Sequence, residues 1–305
     1  MQRQVEQIPD NRELPSKIRE AKEKQNLAIF IGAGFPRLFG CWGWVQLAKG
    51  FLEKCQQVQI LNAREKDKYD KLLNDKDQFP LDIITFCYKK LVASGFQNEI
   101  ESLLQISCRA DPNFNDSIDD GYTQLKRLGD YFITTNYDDH FDKFFPPNLI
   151  FYKTAHYFSL NWNGRALDKN ALYHIHGSIK DVSSIALTYD NYAERESNEN
   201  YLSFLKNAFC NYTVLFIGSS IESDLSSILR VLKKQGNCNR NFLLKHYFSN
   251  QQDEYFLDQS KFDEHNIDVI SYSSDEKEFL ELITIIKSWN SQIEEMGLKI
   301  NELDK

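Results

Sequence analysis

The sequence predicts an α/β fold, an open and doubly wound parallel sheet with a helical insertion, and three observations predict it. Seven short runs rich in β-branched and aromatic residues are each followed by turn residues and then a helical pattern, as parallel strands with crossover helices require. At 305 residues and 42% apolar content, the chain can cover both faces of such a sheet within one elaborated domain over residues 1–305. Four of the runs end in small or polar residues, and in open α/β sheets ligands bind at the carboxyl ends of the strands.

The first strand, Leu27 to Ile31, runs straight into Gly32-Ala33-Gly34. Two glycines let the backbone turn tightly and approach a pyrophosphate, with amides at the next helix start facing the anion. A strand-to-helix turn that merely needs small residues accounts for the same pair. Arg37 stands where a third glycine of G-x-G-x-x-G would fall, and no acidic residue sits at the usual ribose distance.

Helical periodicity then continues as far as the second strand, far beyond the ~10–12 residues of a simple crossover. Residues 45–124 therefore read as a helical insertion, a candidate cap over the site. Near its end, Asp111 to Gly121 (DPNFNDSIDDG) is acidic and turn-rich and reads as a loop, a candidate hinge back into the sheet.

The second strand, Tyr131 to Thr134, ends in Thr134-Thr135-Asn136-Tyr137-Asp138. Asn136 and Asp138 emerge where a ligand would lie, although an Asn or Asp helix cap accounts for one of them. Strands over Leu149 to Tyr152 and Leu172 to Ile175 follow, the latter leading through His174-Ile175-His176 to Gly177 and Ser178. Two histidines two apart share one strand face, and His176 at a strand tip suits general-base work near neutral pH. A core histidine, a solvent-facing one or half of a metal pair are the other readings; the last lacks a third and fourth ligand.

Val214 to Ile217 opens onto Gly218-Ser219-Ser220. These residues could hydrogen-bond a ribose or phosphate, while Ser219 with Glu222 also fits a capping box. Phe242 to Tyr247 and Asp268 to Ser271 complete the strands, and residues 274–305 read as one or two amphipathic helices.

The net charge of −8 and the scattered basic residues argue against direct contact with nucleic acid. The N-terminal stretch has no apolar core of a signal peptide, and no apolar run is long enough to span a bilayer, so the expectation is a cytoplasmic protein that does not engage membranes. Six cysteines without a C-x-x-C pair read as reduced thiols used in packing, and no metal is expected.

The order of these strand ends resembles the sirtuin superfamily, whose members carry Gly-Ala-Gly, Thr-Gln-Asn-Ile-Asp, His-Gly and Gly-Thr-Ser at these places. Gly32 to Gly34, Thr134 to Asp138, His176-Gly177 and Gly218 to Ser220 are the matching positions. The chain is most similar to the prokaryotic sirtuin-like NADase branch associated with antiphage defence, with its Thr-Thr-Asn-Tyr-Asp and doubled histidine. Leu187-Thr188-Tyr189-Asp190-Asn191-Tyr192 is similar to a further element of that branch. The chain departs from the pattern at Phe35-Pro36 and at Trp42, which stands where the family places a proline.

The resemblance implies a Rossmann-like, sirtuin-type sheet. It implies hydrolysis of NAD at the nicotinamide–ribose bond to nicotinamide and ADP-ribose, by a regulated effector of abortive infection. It assigns Asn136 and His176 as catalytic, and Gly32, Ala33, Gly34, Thr135, Asp138, Gly218, Ser219 and Ser220 to NAD binding. It implies control by assembly, as a homo-oligomer or with a partner such as a HerA-type ATPase.

Two other functions remain within the resemblance. A protein deacylase would normally carry four zinc-binding cysteines after His-Gly, whereas only Cys210 lies between His176 and Ser219. A non-catalytic NAD or ADP-ribose sensor would not require both Asn136 and His176.

Overall fold

The computed structural model describes residues 8–73, 80–152, 166–219, 239–273 and 280–303. Its centre is a seven-stranded sheet in which all neighbours are parallel. The strands are β1 (Leu27–Ile31), β2 (Tyr131–Thr134), β3 (Ile150–Phe151), β4 (Leu172–His174), β5 (Thr213–Ile217), β6 (Asn241–Tyr247) and β7 (Ile267–Ser273). Their order is β3-β4-β2-β1-β5-β6-β7, so the winding reverses at β1, between β2 and β5. That reversal opens a crevice above the carboxyl ends of the central strands.

The central strands are continuous apolar runs because both faces of the sheet are covered. Leu27, Ile29 and Ile31 of β1 pack on one side with residues from α1 (Ser16–Glu23), α7 (Asn115–Leu128) and α11 (Leu280–Leu303). Ala28 and Phe30, pointing the other way, pack with Tyr201, Phe204, Leu205, Ala208 and Phe209 of α9 (Glu199–Asn211). The remaining helices are α2 (Gly34–Arg37), α3 (Trp44–Gln57), α4 (Ala63–Leu73), α5 (Pro80–Ala93), α6 (Gln97–Ser107), α8 (Tyr189–Ser197) and α10 (Gln252–Asp263). α3 packs on α4, α5 and α6 around a third apolar cluster, which includes Ile185 and Leu187 from the chain after β4.

The stretch Asp111 to Gly121 is not a loop. A single 3₁₀ turn at Pro112–Phe114 leads into α7, which includes Gly121. Ile118, Tyr122, Leu125 and Leu128 recur at helical spacing and are all buried, so burial outweighs the turn propensity of the Asn and Asp residues. Asp116 in the first turn and Lys126 and Arg127 in the last also suit the helix dipole. Gly121 serves close packing, since a Cβ there would sit 3.0 Å from Phe39.

Cys41, Cys55, Cys87 and Cys108 are buried free thiols. Cys210 is disulfide-bonded, which corrects the expectation of six reduced thiols. No helix among the described residues is long and apolar enough to cross a membrane.

Candidate active site

Two glycines at the tip of β1 meet the tip of β5. Gly32 N–H donates to Ile217 O at 2.9 Å and Gly34 N–H to Gly218 O at 2.6 Å. A Cβ on Gly32 would lie 2.5 Å from Ser219 Cα, and one on Gly34 would lie 2.6 Å from Gly218 O. Gly218 has φ +62°, and a Cβ on it would strike the Phe35 amide. These glycines thus let two strand tips touch. The following helix, α2, is a single turn. Ser219 is buried, and its Oγ has no hydrogen-bond partner among the described residues. Ser220, and the Glu222 of the expected capping box, lie outside the described residues.

The β2 tip leans on β1 through Thr134, whose Oγ1 donates to Ile31 O at 3.0 Å and accepts from Asn136 N–H at 3.0 Å. Asn136 Nδ2 donates to Gly32 O at 3.2 Å, and its buried Oδ1 has no hydrogen-bond partner among the described residues. The same holds for the buried Thr135 Oγ1. Tyr137 O–H donates to Ala186 O at 2.6 Å, and Tyr137 O accepts from Ile179 N–H at 2.8 Å, so the β2 tip is tied to the chain beyond β4.

Asp138 is buried and accepts from Tyr122 O–H and His140 N–H, both at 3.3 Å. Burial pushes its carboxyl above the usual range, against the pull of His140 and His174.

His174 ends β4 and His176 lies beyond it, so the two do not share a strand face. His174 Nδ1 donates to the Asn136 carbonyl at 3.1 Å, and Nε2 lies 2.9 Å from Asp142 Oδ1. With both ring nitrogens engaged, His174 is unsuited to be a metal ligand. Lys180 Nζ reaches Asp142 Oδ2 at 3.1 Å. Among the described residues no group of three or more His, Cys, Asp or Glu could hold a metal ion.

His176 is 4% exposed and packs edge-on to Tyr192 at 5.2 Å between ring centroids. Burial first, and the charge of Arg195 second, push its imidazole down to about 3. The ring is therefore neutral near pH 7. Arg195, buried on α8, donates to Ile175 O and Ser184 O and so clamps the chain on both sides of His176. Gly177 has φ +89° and no room for a Cβ against Ser184 O.

Thr135, Asn136, Tyr137, Asp138, His176 and Ala33 line one cavity of about 60 Å³. Room for one water needs about 10–15 Å³, so the space suits a group the size of one small ring. Its opposite wall is Pro36, Cys41, Trp42, Gly43, Trp44, Leu47, Ser107 and Cys108. The structure thus brings Asn136 and His176 together, with Thr135, Asp138 and Ala33. It leaves Gly32, Gly34, Gly218 and Ser219 at the adjoining contact of β1 with β5.

The Trp42 and Cys108 walls, Arg195 and Asp142 were not singled out as site residues from sequence. Trp42 marks the departure from the proline pattern; Cys108 carries no local signal. Trp42 N–H donates to Ser107 O at 2.8 Å, and its ring occupies the space a side chain at Gly50 would need.

The SIR2-like domain family model matches residues 130–287, more than half of the chain. The chain belongs to the SIR2-like family. This SIR2-like protein is also 26% identical over 272 residues to a protein of Enterococcus faecium named NAD(+) hydrolase ThsA. The alignment covers 83% of this chain and 50% of ThsA, so the chain spans about half the length of that relative.

Proposed function

We propose that this SIR2-like protein hydrolyses NAD at the bond between nicotinamide and ribose, giving nicotinamide and ADP-ribose. The observation that carries the reading is the meeting of Asn136 and His176, from two strand tips, on one ring-sized cavity at the reversal point of the sheet. The alignment with a protein named NAD(+) hydrolase supports it.

The leaving nicotinamide of NAD is already cationic, so the enzyme mainly has to position the substrate, stabilise an oxocarbenium-like ribose and supply water. The unpartnered Oδ1 of Asn136 is an acceptor for a ribose hydroxyl or for water. His176, which lines the same cavity as Asn136, is the base that takes the proton, a role that requires bound NAD to raise its imidazole from about 3 towards the working pH. Asp138, whose carboxyl is pushed towards its protonated form, is suited to donate to the nicotinamide amide. The β1 and β5 tips, with Gly32, Gly34, Gly218 and Ser219, would take the diphosphate and adenosine side, which lies outside the small cavity.

Continuous NAD hydrolysis would harm the host, so the activity belongs to a regulated effector of antiphage defence, held off until assembly. The helical layer α3–α6 and helix α11 are the surfaces for another copy or a partner such as a HerA-type ATPase.

The test is incubation of the wild type, Asn136→Ala and His176→Ala with NAD, following nicotinamide and ADP-ribose by chromatography, alone and with neighbouring gene products. ADP-ribose from wild type only, with all three folded, is the expected result. NAD that binds but survives every condition would leave a sensor. Nicotinamide released only with an acylated peptide would make the protein a deacylase.

A further inference from the structure

Thr135 stands where the deacylases of the superfamily carry glutamine, and its hydroxyl is chemically unexplained by the fold. The residue is 6% exposed, yet Oγ1 finds no hydrogen-bond partner among the described residues. Burying a hydroxyl without a partner costs about 1–3 kcal/mol. A position that only filled space would be served better by valine, which has the same shape. The neighbouring Asn136 Oδ1, in a residue 7% exposed, also has no partner among the described residues. Both residues line the cavity that His176 closes from the β4 side. Both oxygens are acceptors, the Thr135 hydroxyl can also donate, and both residues line one cavity with His176, which is the set of groups that a single bound water needs.

We infer that Thr135 Oγ1 and Asn136 Oδ1 together hold the water that attacks C1′ of the ribose, which makes Thr135 a catalytic residue that selects water as the acceptor. The inference rests on the NAD hydrolase reading and deepens it. The C1′–N bond breaks and nicotinamide leaves with the electron pair, neutral. The water oxygen forms the new bond to C1′, and its proton passes to His176 and then to solvent. NAD and water become ADP-ribose, nicotinamide and one proton.

The intermediate has two fates: capture by water, or recapture by nicotinamide, which regenerates NAD. Removing the water cradle should slow the first and spare the second. The experiment measures ADP-ribose formation and incorporation of labelled nicotinamide into NAD, in parallel, for wild type, Thr135→Val and Thr135→Ser, with the partner present if activity needs it. Thr135→Val should lose about tenfold or more in hydrolysis while exchange falls far less, and Thr135→Ser should restore the wild-type ratio. An equal loss of both, or no loss of hydrolysis, overturns the inference.

If wild type forms neither ADP-ribose nor exchanged NAD, the hydrolase reading itself has failed. Crystal structures of the wild type and Thr135→Val give a check without activity. A water within hydrogen-bond distance of both oxygens, lost in the valine variant, supports the inference, and its absence in the wild type refutes it.

Discussion

The carbonyl of Gly218 accepts the amide of Gly34 at 2.6 Å, and no side chain fits at either residue. That contact locks the tips of β1 and β5 at the point where the sheet reverses direction. It also fixes the position of Gly32 O, which receives the Asn136 side chain.

Gly218→Ala should therefore be the more damaging of two neighbouring changes. It combines a positive φ with a backbone clash, while Gly34→Ala has the clash alone. We expect a loss of about 2–4 kcal/mol for the first and about 1–3 kcal/mol for the second. Thermal or denaturant unfolding reads both, and equal midpoints for Gly218→Ala and wild type would contradict the contact.

His176 couples stability to pH. In the unfolded chain its imidazole takes up a proton near 6.5, whereas in the fold it does so only near 3. Between those values the unfolded state binds the extra proton, so stability falls as pH drops from about 6.5 towards 3. The slope approaches 1.4 kcal/mol per pH unit at most. Asp138, with its raised value, acts in the opposite sense, and it is common to wild type and variant. His176→Asn should flatten the decline relative to wild type when urea midpoints are compared at pH 7, 6 and 5. Parallel curves would argue against a neutral, buried imidazole.

Arg195 is a buried cation whose hydrogen bonds go to carbonyls on either side of His176. Arg195→Met should cost about 2–4 kcal/mol, because Ile175 O and Ser184 O lose their donors. It should also raise the pH at which His176 protonates, measurable by NMR titration of the imidazole in folded protein. An unshifted titration would separate Arg195 from the electrostatics of the site.

The His174 and Asp142 pair holds the backbone of Asn136 without lining the cavity. If the protein hydrolyses NAD as proposed, Asp142→Asn should lower kcat about tenfold while changing KM little, as expected for a residue that positions another. A rise in KM with unchanged kcat would instead assign the pair to substrate binding.

Trp42 lines the same cavity as Asn136. On the proposed NAD hydrolysis, Trp42→Ala should raise KM several-fold with a smaller effect on kcat, since it removes apolar surface from the cavity that would take the nicotinamide ring. Initial-rate kinetics on folded variant decide it.

The strands were legible as short runs rich in β-branched and aromatic residues that end at turn or polar residues; β1 is an unbroken apolar run because both its faces are covered, whereas the edge strand β7 carries Asp268, Ser271 and Ser273. Leu27–Ile31 and Tyr131–Thr134 match to the residue. The strand tips that bring Asn136 and His176 to one level follow from those ends and from parallel pairing. What misled the reading at Asp111 to Gly121 was local turn propensity, which the buried stripe Ile118, Tyr122, Leu125 and Leu128 overrides.

The far wall of the cavity was decided only by the tertiary structure. Trp42 and Cys108 are 66 positions apart and meet because the segment before α3 hydrogen-bonds to the end of α6. Periodicity describes how each helix hides its own apolar face, but not which two segments will then touch. The same limit hid Arg195, which in sequence is one charged residue on an amphipathic helix. Its burial beside His176 depends on how α8 docks against the turn after β4, a matter of packing between distant parts of the chain.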